Sequence, residues 1–161
     1  MTSSSASLTN IHNFKNITIL LVEDNPDHLF LIRAALQECV PDIHLVETVD
    51  RKSALQYLAS EWDKKGKNLP KLILLDLYLP TREEGLEALK GFKSFFAGRS
   101  QPSIPVVMFS FSDRVEDIND SYEFGANAYL VKSPDYEAWK KYFEGLRDFW
   151  LETVSLPMHE V

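Results

Sequence analysis

The sequence predicts an α/β fold in which helices cover both faces of a doubly wound, five-stranded parallel sheet. Five short apolar segments, largely β-branched, recur along the chain, and a stretch with helical spacing follows each of them. Strands that are apolar at nearly every position are typical of a parallel sheet buried on both faces. The 161 residues correspond to roughly one domain and can bury a sizeable core.

The first part of the chain predicts two strand and helix pairs. The strands are ITILLV (17–22) and IHLVET (43–48). Apolar residues at intervals of three or four positions follow each strand, as they do along one face of a packed helix. These residues are Leu29, Ile32, Leu36 and Val40 after the first strand, and Ala54, Leu55, Leu58 and Trp62 after the second.

The rest of the chain predicts three more pairs, with strands at 71–76, 105–110 and 127–132. We expect Gly85 to open the third helix and the fifth helix to run from about Pro134 to Val154. The helical faces are Leu86, Leu89, Phe92 and Phe96 in the third helix, Val115, Ile118, Tyr122 and Phe124 in the fourth, and Trp139, Phe143, Leu146 and Trp150 in the fifth.

The composition excludes several classes of function. With 17 basic and 24 acidic residues, the net charge of −7 and the pI of about 5.1 disfavour nucleic acid or an anionic membrane as a partner. Cys39 is the single cysteine, which excludes an internal disulfide and fits a reducing, cytoplasmic location. No apolar segment reaches the roughly 18 residues of a membrane span. The histidines are too scattered to predict a zinc site: His12, His28, His44 and His159.

The two ends of the chain are polar or short. We expect residues 1–15 to form a flexible N-terminal arm, residues 16–154 to form the domain and residues 155–161 to form a C-terminal tail. Such a tail is too short for a DNA-binding or catalytic module, so we expect a stand-alone domain.

Charged and hydroxyl side chains stand at the carboxyl ends of four predicted strands. Glu23 and Asp24 end the first strand and Asp76 ends the third. Ser110 ends the fourth strand and Lys132 ends the fifth. Ligands of doubly wound sheets bind beside these ends, so the residues are expected to gather in one site although they are far apart in sequence.

Each position also has a simpler alternative. Asp24 or Asn25 would serve as the N-cap of the first helix, Asp76 would cap a loop, and Ser110 and Lys132 would be solvated side chains. Their joint position favours a site instead. Three carboxylates within a few ångströms repel one another and require a proton or a cation, and oxygen ligands alone select a hard ion such as Mg²⁺.

The same residues fit phosphoryl transfer. A carboxylate can attack phosphorus to give an acyl phosphate, and positioning and charge neutralisation supply most of the catalysis. Asp76 is the best nucleophile because it ends the expected central strand. Lys132 would pair with the phosphoryl oxygens, and Ser110 would donate a hydrogen bond to one of them.

These residues resemble the receiver domain of two-component response regulators. The resemblance extends from about Ile17 to Val154 and rests on LLVEDNPD (20–27), LILLDLYLP (72–80), VVMFS (106–110) and GANAYLVK (125–132). It implies a flavodoxin-like sheet with strand order 2-1-3-4-5. It also implies a signalling protein that takes a phosphoryl group from a histidine kinase or a histidine phosphotransfer protein, and that catalyses its own phosphorylation and dephosphorylation.

The resemblance also implies roles for individual residues. Asp76 is expected to be the phosphoacceptor, and Ser110, Tyr129 and Lys132 are expected to be the switch residues. The expected Mg²⁺ ligands are Glu23, Asp24, Asp76 and the backbone carbonyl of Tyr78.

Output is expected through protein contact, with an unknown downstream protein or a second copy of the chain. The expected surface comprises the fourth helix, the fifth strand and the fifth helix. Apolar residues of this surface have burial in the core as their alternative, but Tyr136, Tyr142 and Phe149 lie off the main apolar face of the fifth helix, so part of this aromatic surface is expected to be available.

Three features depart from the usual receiver pattern. The loop PTREEG (80–85) is one residue longer than usual. Ser133 separates Lys132 from Pro134, so whether the peptide bond before Ser133 is cis stays an open question. Phe111 occupies a position that is usually small. We expect Phe111 and Tyr78 to shield the phosphoryl group from water, with packing of Phe111 against the fourth helix as the alternative.

Other functions compete with this interpretation. An aspartyl phosphatase would need a second acid two residues after its nucleophile, where this chain has Tyr78. A flavin or nucleotide binder would need a phosphate cradle after the first strand, where EDNPD (23–27) would repel phosphate. A receiver that binds a partner without being phosphorylated is the third alternative.

Overall fold

The computed structural model describes residues 17–64, 68–99 and 103–153. Its strands form one parallel sheet in the order β2-β1-β3-β4-β5, which confirms the predicted fold class and strand order. The strands are β1 (Thr18–Val22), β2 (His44–Thr48), β3 (Leu72–Leu75), β4 (Val106–Ser110) and β5 (Ala128–Val131).

A helix follows each strand, and a π-helical segment continues the last helix. The helices are α1 (Pro26–Cys39), α2 (Arg51–Asp63), α3 (Arg82–Ala97), α4 (Val115–Glu123), α5 (Tyr136–Leu146) and the π-helical segment (Arg147–Thr153). Within the described ranges, none of these helices combines the length and the apolar character needed to cross a bilayer.

The sheet separates two apolar cores, because alternate strand residues point to opposite faces. One core lies between the sheet and helices α2 and α3, and it includes Leu58 and Phe92. The other lies between the sheet and helices α1 and α5, and it includes Ile32, Phe109 and Phe143. Both faces are therefore covered, and the site is confined to the edge where the strands end.

Helix α1 begins with a polar cap. Asn25 Oδ1 accepts hydrogen bonds from the backbone N–H groups of Asp27 (2.9 Å) and His28 (3.3 Å), and Pro26 is the first helical residue. Asn25 rather than Asp24 is therefore the cap, so the Asp24 carboxylate is not used in starting the helix.

Helix α3 begins at Arg82 with Thr81 as its N-cap, so the expectation that Gly85 opens it after a loop at 80–85 is wrong. Gly85 lies in the first turn, where an added Cβ would come within 1.6 Å of the carbonyl oxygen of Leu77. Only glycine permits this approach. The close contact holds the connection after Asp76 against the helix.

Helix α4 has only part of the apolar inward face that the sequence predicts: Ile118 is half-buried, and Phe124 at the C-cap packs partly against the core. Val115 is 68% exposed and Tyr122 is 48% exposed. The buried residues of the helix are instead Asp117 and Ser121. The most deeply buried contacts of the helix are therefore polar, which apolar periodicity cannot identify.

Helix α5 follows the predicted spacing more closely. Tyr136 and Tyr142, which were expected to contribute to the surface, pack partly against the core, whereas Phe149 is 55% exposed. The buried face of the helix consists of Trp139, Phe143 and Leu146.

The predicted arm (1–15) and tail (155–161) lie outside the described residues. Among the described residues, the peptide bond between Leu79 and Pro80 is cis, whereas the bond before Ser133 is trans.

Candidate functional site

An open cleft of about 880 Å³ lies at the carboxyl edge of the sheet. Adjacent strands end in register, with Val22 beside Leu75, so the residues that follow them meet at this edge. The sequence-predicted residues that line the cleft are Glu23, Asp24, Asp76, Tyr78, Ser110 and Phe111.

Lys132 follows β5 and is buried behind the cleft, with a side chain that is 1% exposed. Its Nζ lies 2.7 Å from Glu23 Oε2, 3.2 Å from Asp76 Oδ2 and 3.1 Å from His28 Nδ1. Three acceptors thus match the three N–H groups of the ammonium. We call Lys132, Glu23, Asp76 and His28 the Lys132 cluster.

Asp76 immediately follows β3. Its backbone N–H donates to the carbonyl of Val22 (3.0 Å), which extends the sheet pairing by one residue. Its Oδ1 accepts from the backbone N–H of Tyr78 (3.2 Å), and its Oδ2 accepts from Lys132. Both carboxylate oxygens are therefore held by hydrogen bonds.

The Lys132 cluster carries more negative than positive charge. Burial raises the pKa of Glu23 to about 7, the Lys132 ammonium acts against this rise, and the Asp76 carboxylate adds to it. Half-buried Asp24 and exposed Asp27 add further carboxylates on the open side of the cleft. This set of oxygen donors fits a hard divalent cation, which would relieve the excess negative charge.

His28 adds a nitrogen atom to this edge. Ligand atoms of Glu23, His28 and Asp76 lie within 4.8 Å of one another, which is a spacing that could hold a metal. The Lys132 ammonium already contacts all three side chains. Burial, and then the nearby ammonium, lowers the pKa of His28, which favours the neutral imidazole. His28 is therefore a partner of the amine in this arrangement.

Ser110 and Tyr129 both contact the connection between β4 and α4. Buried Ser110 accepts a hydrogen bond at Oγ from the backbone N–H of Ser112 (3.2 Å), and its carbonyl accepts from the N–H of Lys132 (2.7 Å). The hydroxyl of Tyr129 donates to the carbonyl of Ser112 (2.7 Å). The two predicted switch residues thus meet at Ser112.

A second cluster of buried charge lies beside the cleft, and its central residue is Asp117 on α4. Asp117 Oδ2 accepts from the hydroxyls of Tyr78 (2.9 Å) and Ser112 (2.5 Å), and its Oδ1 accepts from Arg82 Nε (2.5 Å). Arg82 also pairs with Asp120. Burial would raise the pKa of Asp117, but the donated hydrogen bonds prevail and hold it below its ordinary value. We call Asp117, Tyr78, Arg82 and Ser112 the Asp117 cluster.

The two bulky residues of the cleft are held differently. Phe111 is 50% exposed, and its ring contacts His28 and Trp139, with centroid distances of 5.1 and 6.4 Å. It therefore leans toward α1 and α5, and the ring contacts found within the described residues do not place it on α4. The hydroxyl of Tyr78 is bound to Asp117, so this ring is tied toward α4.

The sequence analysis misses His28 and Asp117, and with Asp117 its partners Arg82 and Ser112. His28 was judged only as one of four scattered histidines, although its place in the first turn after EDNPD points it at the strand ends. Asp117, in the first turn of α4, has the sequence pattern of an exposed acid that favours a helix N-terminus.

Comparison with known proteins shows which family the chain resembles. A family model described as the response regulator receiver domain matches residues 19–144. Response regulator Rcp1 of Synechocystis is 36% identical over 139 residues, which cover 86% of this chain and 92% of Rcp1.

Solved structures give the same result. The Mn²⁺-bound form of Rcp1 has a TM-score of 0.70 at 35% identity, and the match covers 88% of this chain and 99% of the other. The phosphorylated cyanobacterial phytochrome response regulator RcpA has a TM-score of 0.73 at 36% identity, with 89% and 99% covered. The bacteriophytochrome response regulator AtBRR has a TM-score of 0.62 at 36% identity, with 89% and 98% covered.

Proposed function

The chain belongs to the response regulator receiver domain family of two-component signalling, and we propose that it accepts a phosphoryl group on Asp76. The observation that carries this proposal is the position of Asp76 at the end of β3. Its carboxylate lines an open cleft and is held by Lys132 and the backbone N–H of Tyr78. The similar protein RcpA is known in a phosphorylated form.

The proposed step is an in-line transfer. A carboxylate oxygen of Asp76 forms a bond to phosphorus while the bond between phosphorus and the donor breaks, and the donor leaves with that electron pair. The leaving group is an imidazole, which takes up a proton, when the donor is a phosphohistidine, and acetate when it is acetyl phosphate. Lys132 neutralises the transferred group, and the Ser110 hydroxyl turns toward it to donate a hydrogen bond.

A divalent cation, Mg²⁺ in the cell, would be held by Glu23, Asp24, Asp76 and the backbone carbonyl of Tyr78. It would neutralise the acids and the phosphoryl oxygens during transfer. The raised pKa of Glu23 supports this proposal, because burial removes from its carboxylate the solvation that a bound cation would replace, and the neighbouring Asp76 carboxylate adds to the rise. The similar protein Rcp1 is known in a Mn²⁺-bound form.

The proposed donor is a histidine kinase or a histidine phosphotransfer protein. RcpA is by name a phytochrome response regulator and AtBRR a bacteriophytochrome response regulator, each at 36% identity. We therefore extend the proposal to a kinase of the phytochrome class. Faster transfer to this chain from such a kinase than from an unrelated histidine kinase would support the extension, and equal rates would remove it.

Phosphorylation by acetyl phosphate tests the site itself. Wild-type protein with Mg²⁺ should gain the mass of one phosphoryl group, and Asp76→Asn should not. Asp24→Asn should lose the Mg²⁺-dependent reaction while its fold is kept or stabilised, because like-charge repulsion is relieved. Asp27→Asn is the matched control, since it removes an exposed acid of the same cleft.

The outcomes separate the competing functions. Phosphate gained by Asp76→Asn at the wild-type rate would show that another residue is the acceptor. Steady turnover of many phosphate esters without a lasting adduct would indicate a phosphatase. A wild type that gains no phosphate, but folds and binds Mg²⁺, would indicate a receiver that acts without phosphorylation.

We further propose that the signal leaves through protein contact at α4, β5 and α5. Phosphorylation would draw Ser110 inward and move Tyr129 through their common neighbour Ser112. Val115 and Tyr122 on α4 are exposed and would give a partner or a second copy apolar area. Sedimentation with and without a phosphoryl mimic tests the homodimer, and an unchanged monomer would exclude it.

A further inference from the structure

Among the described residues, His28 is the neutral side chain that forms a hydrogen bond with the Lys132 ammonium. The other two partners, Glu23 and Asp76, are carboxylates. An ammonium has no lone pair, so it must be the donor, and Nδ1 of His28 must carry no proton in order to accept at 3.1 Å. The arrangement therefore requires the imidazole to hold its proton on Nε2.

A neutral third acceptor has a specific advantage at this position. A third carboxylate would fix the ammonium equally well, but it would add negative charge beside the place where the phosphoryl oxygens must arrive. Without a third acceptor, the 2.7 Å contact with Glu23 would dominate and draw the amine away from Asp76, which it contacts at 3.2 Å. An imidazole orients the third N–H without either effect.

The ring of His28 is itself held in place. It packs against Phe111, with a centroid distance of 5.1 Å, and against the edge of Trp139, at 6.2 Å. Trp139 is buried, and its indole N–H donates to the carbonyl of Ser133, the residue after Lys132. The same tryptophan therefore supports both the imidazole and the backbone that carries the amine.

From this geometry we infer that His28 is a positioning residue, which holds the Lys132 ammonium beside Asp76 ready for the phosphoryl group. The role in transfer rests on the proposed function of Asp76. The contact itself does not, so the two are measured separately.

The contact is tested by NMR of unphosphorylated protein. The imidazole nitrogen shifts of His28 should show the proton on Nε2. In protein with ¹⁵N-labelled lysine, the buried Lys132 ammonium should give its own signal, assigned by its loss in Lys132→Arg. That signal should move or broaden in His28→Phe and stay close to its wild-type position in His28→Gln, whose amide oxygen can accept the same bond.

The role in transfer is tested by the rate of phosphorylation with acetyl phosphate and saturating Mg²⁺. His28→Phe keeps an aromatic ring between Phe111 and Trp139 but has no acceptor, and it should react roughly five- to tenfold more slowly. His28→Gln should recover most of the rate. His44→Phe is the control, because His44 is an exposed histidine at the start of β2, at the opposite edge of the sheet.

Two results would overturn the inference. One is a Lys132 signal that is the same in His28→Phe as in the wild type. The other is a His28→Phe rate equal to that of the wild type, or a His28→Gln rate as low as that of His28→Phe. If instead the wild type gains no phosphate, the proposed function fails and the role in transfer fails with it, while the NMR result still decides the contact. Thermal unfolding of both variants checks that each is folded.

Discussion

Two clusters of buried charge lie beside one cleft, and their charges are compensated to different degrees. The Lys132 cluster surrounds one ammonium with two carboxylates and an imidazole. The Asp117 cluster surrounds one carboxylate with a guanidinium and two hydroxyls. The Lys132 cluster contains more acidic than basic groups. In the Asp117 cluster, both oxygens of the carboxylate accept hydrogen bonds.

The pKa directions express the same difference. Burial alone would raise the pKa of both acids. In the Lys132 cluster this effect prevails and the pKa of Glu23 reaches about 7, whereas in the Asp117 cluster the hydrogen bonds prevail and the pKa falls. A buried charge that neighbouring groups do not fully neutralise is suited to bind a charged ligand. A buried charge that hydrogen bonds and an opposite charge fully neutralise is suited to hold neighbouring loops together.

The two clusters also touch through the backbone. Tyr78 donates hydrogen bonds from its hydroxyl to Asp117 and from its backbone N–H to Asp76. Ser112 donates hydrogen bonds from its hydroxyl to Asp117 and from its backbone N–H to Ser110. The Asp117 cluster therefore fixes the two connections that approach the phosphoryl site, and changes in one cluster should be measurable in the other.

The largest expected effect is that of Lys132→Met. Removing the amine of the Lys132 cluster leaves Glu23 and Asp76 buried against each other, and such a loss should lower the free energy of unfolding by about 3–5 kcal/mol without metal. Added Mg²⁺ should restore part of this loss, because a cation again separates the acids. Urea denaturation with and without Mg²⁺ measures both effects.

Lys140→Met is the control for this prediction. Lys140 pairs with Glu38 and Glu137, which are both exposed, so its removal should change the free energy by less than about 1 kcal/mol. An equal loss of unfolding free energy in the two variants would show that the Lys132 ammonium stabilises the fold no more than a surface ion pair does.

The next largest effect is that of Asp117→Asn, which we expect to cost about 2 kcal/mol. The loss is smaller because the amide keeps one acceptor oxygen and Arg82 keeps Asp120. The folded pKa of Asp117 lies below its ordinary value of 3.8, so its stabilising contribution is present above that value and disappears as the pH falls through the folded pKa.

Acid denaturation measures this contribution. The difference in unfolding free energy between wild type and Asp117→Asn should be largest near neutral pH and should shrink below pH 3.8. Exposed Asp113 supplies the matched variant, Asp113→Asn, which should follow the wild-type curve. A difference that stays constant with pH would show that the carboxylate charge of Asp117 does not contribute.

How much the sequence could predict depends on the range of each interaction. The strands and the residues that end them follow from local periodicity, so Asp76 and Lys132 could be placed at one edge without a structure. The contacts of His28 with Lys132 and of Asp117 with Arg82 span 104 and 35 positions. No local pattern marks such pairs, and the polar inward face of α4 reverses the rule by which buried helix faces are found.

The smallest expected effect concerns the open side of the Lys132 cluster. Hydrolysis of an aspartyl phosphate needs a water molecule in line with the bond to Asp76, and half-exposed Phe111 lies at the entrance. Phe111→Ala combined with Tyr78→Asn should hasten the decay of the phosphorylated form several-fold, or by about 1 kcal/mol of barrier.

Most of this acceleration should come from Phe111→Ala alone. Asp117 ties the ring of Tyr78 toward α4, whereas the ring of Phe111 leans over the partners of Lys132. Single-variant decay, followed by intact mass after removal of acetyl phosphate, separates the two rings, and Phe149→Ala controls for loss of an exposed phenylalanine. Decay of the double variant at the wild-type rate would show that neither ring shields the phosphoryl group, and that the lifetime is set by the charges of the Lys132 cluster.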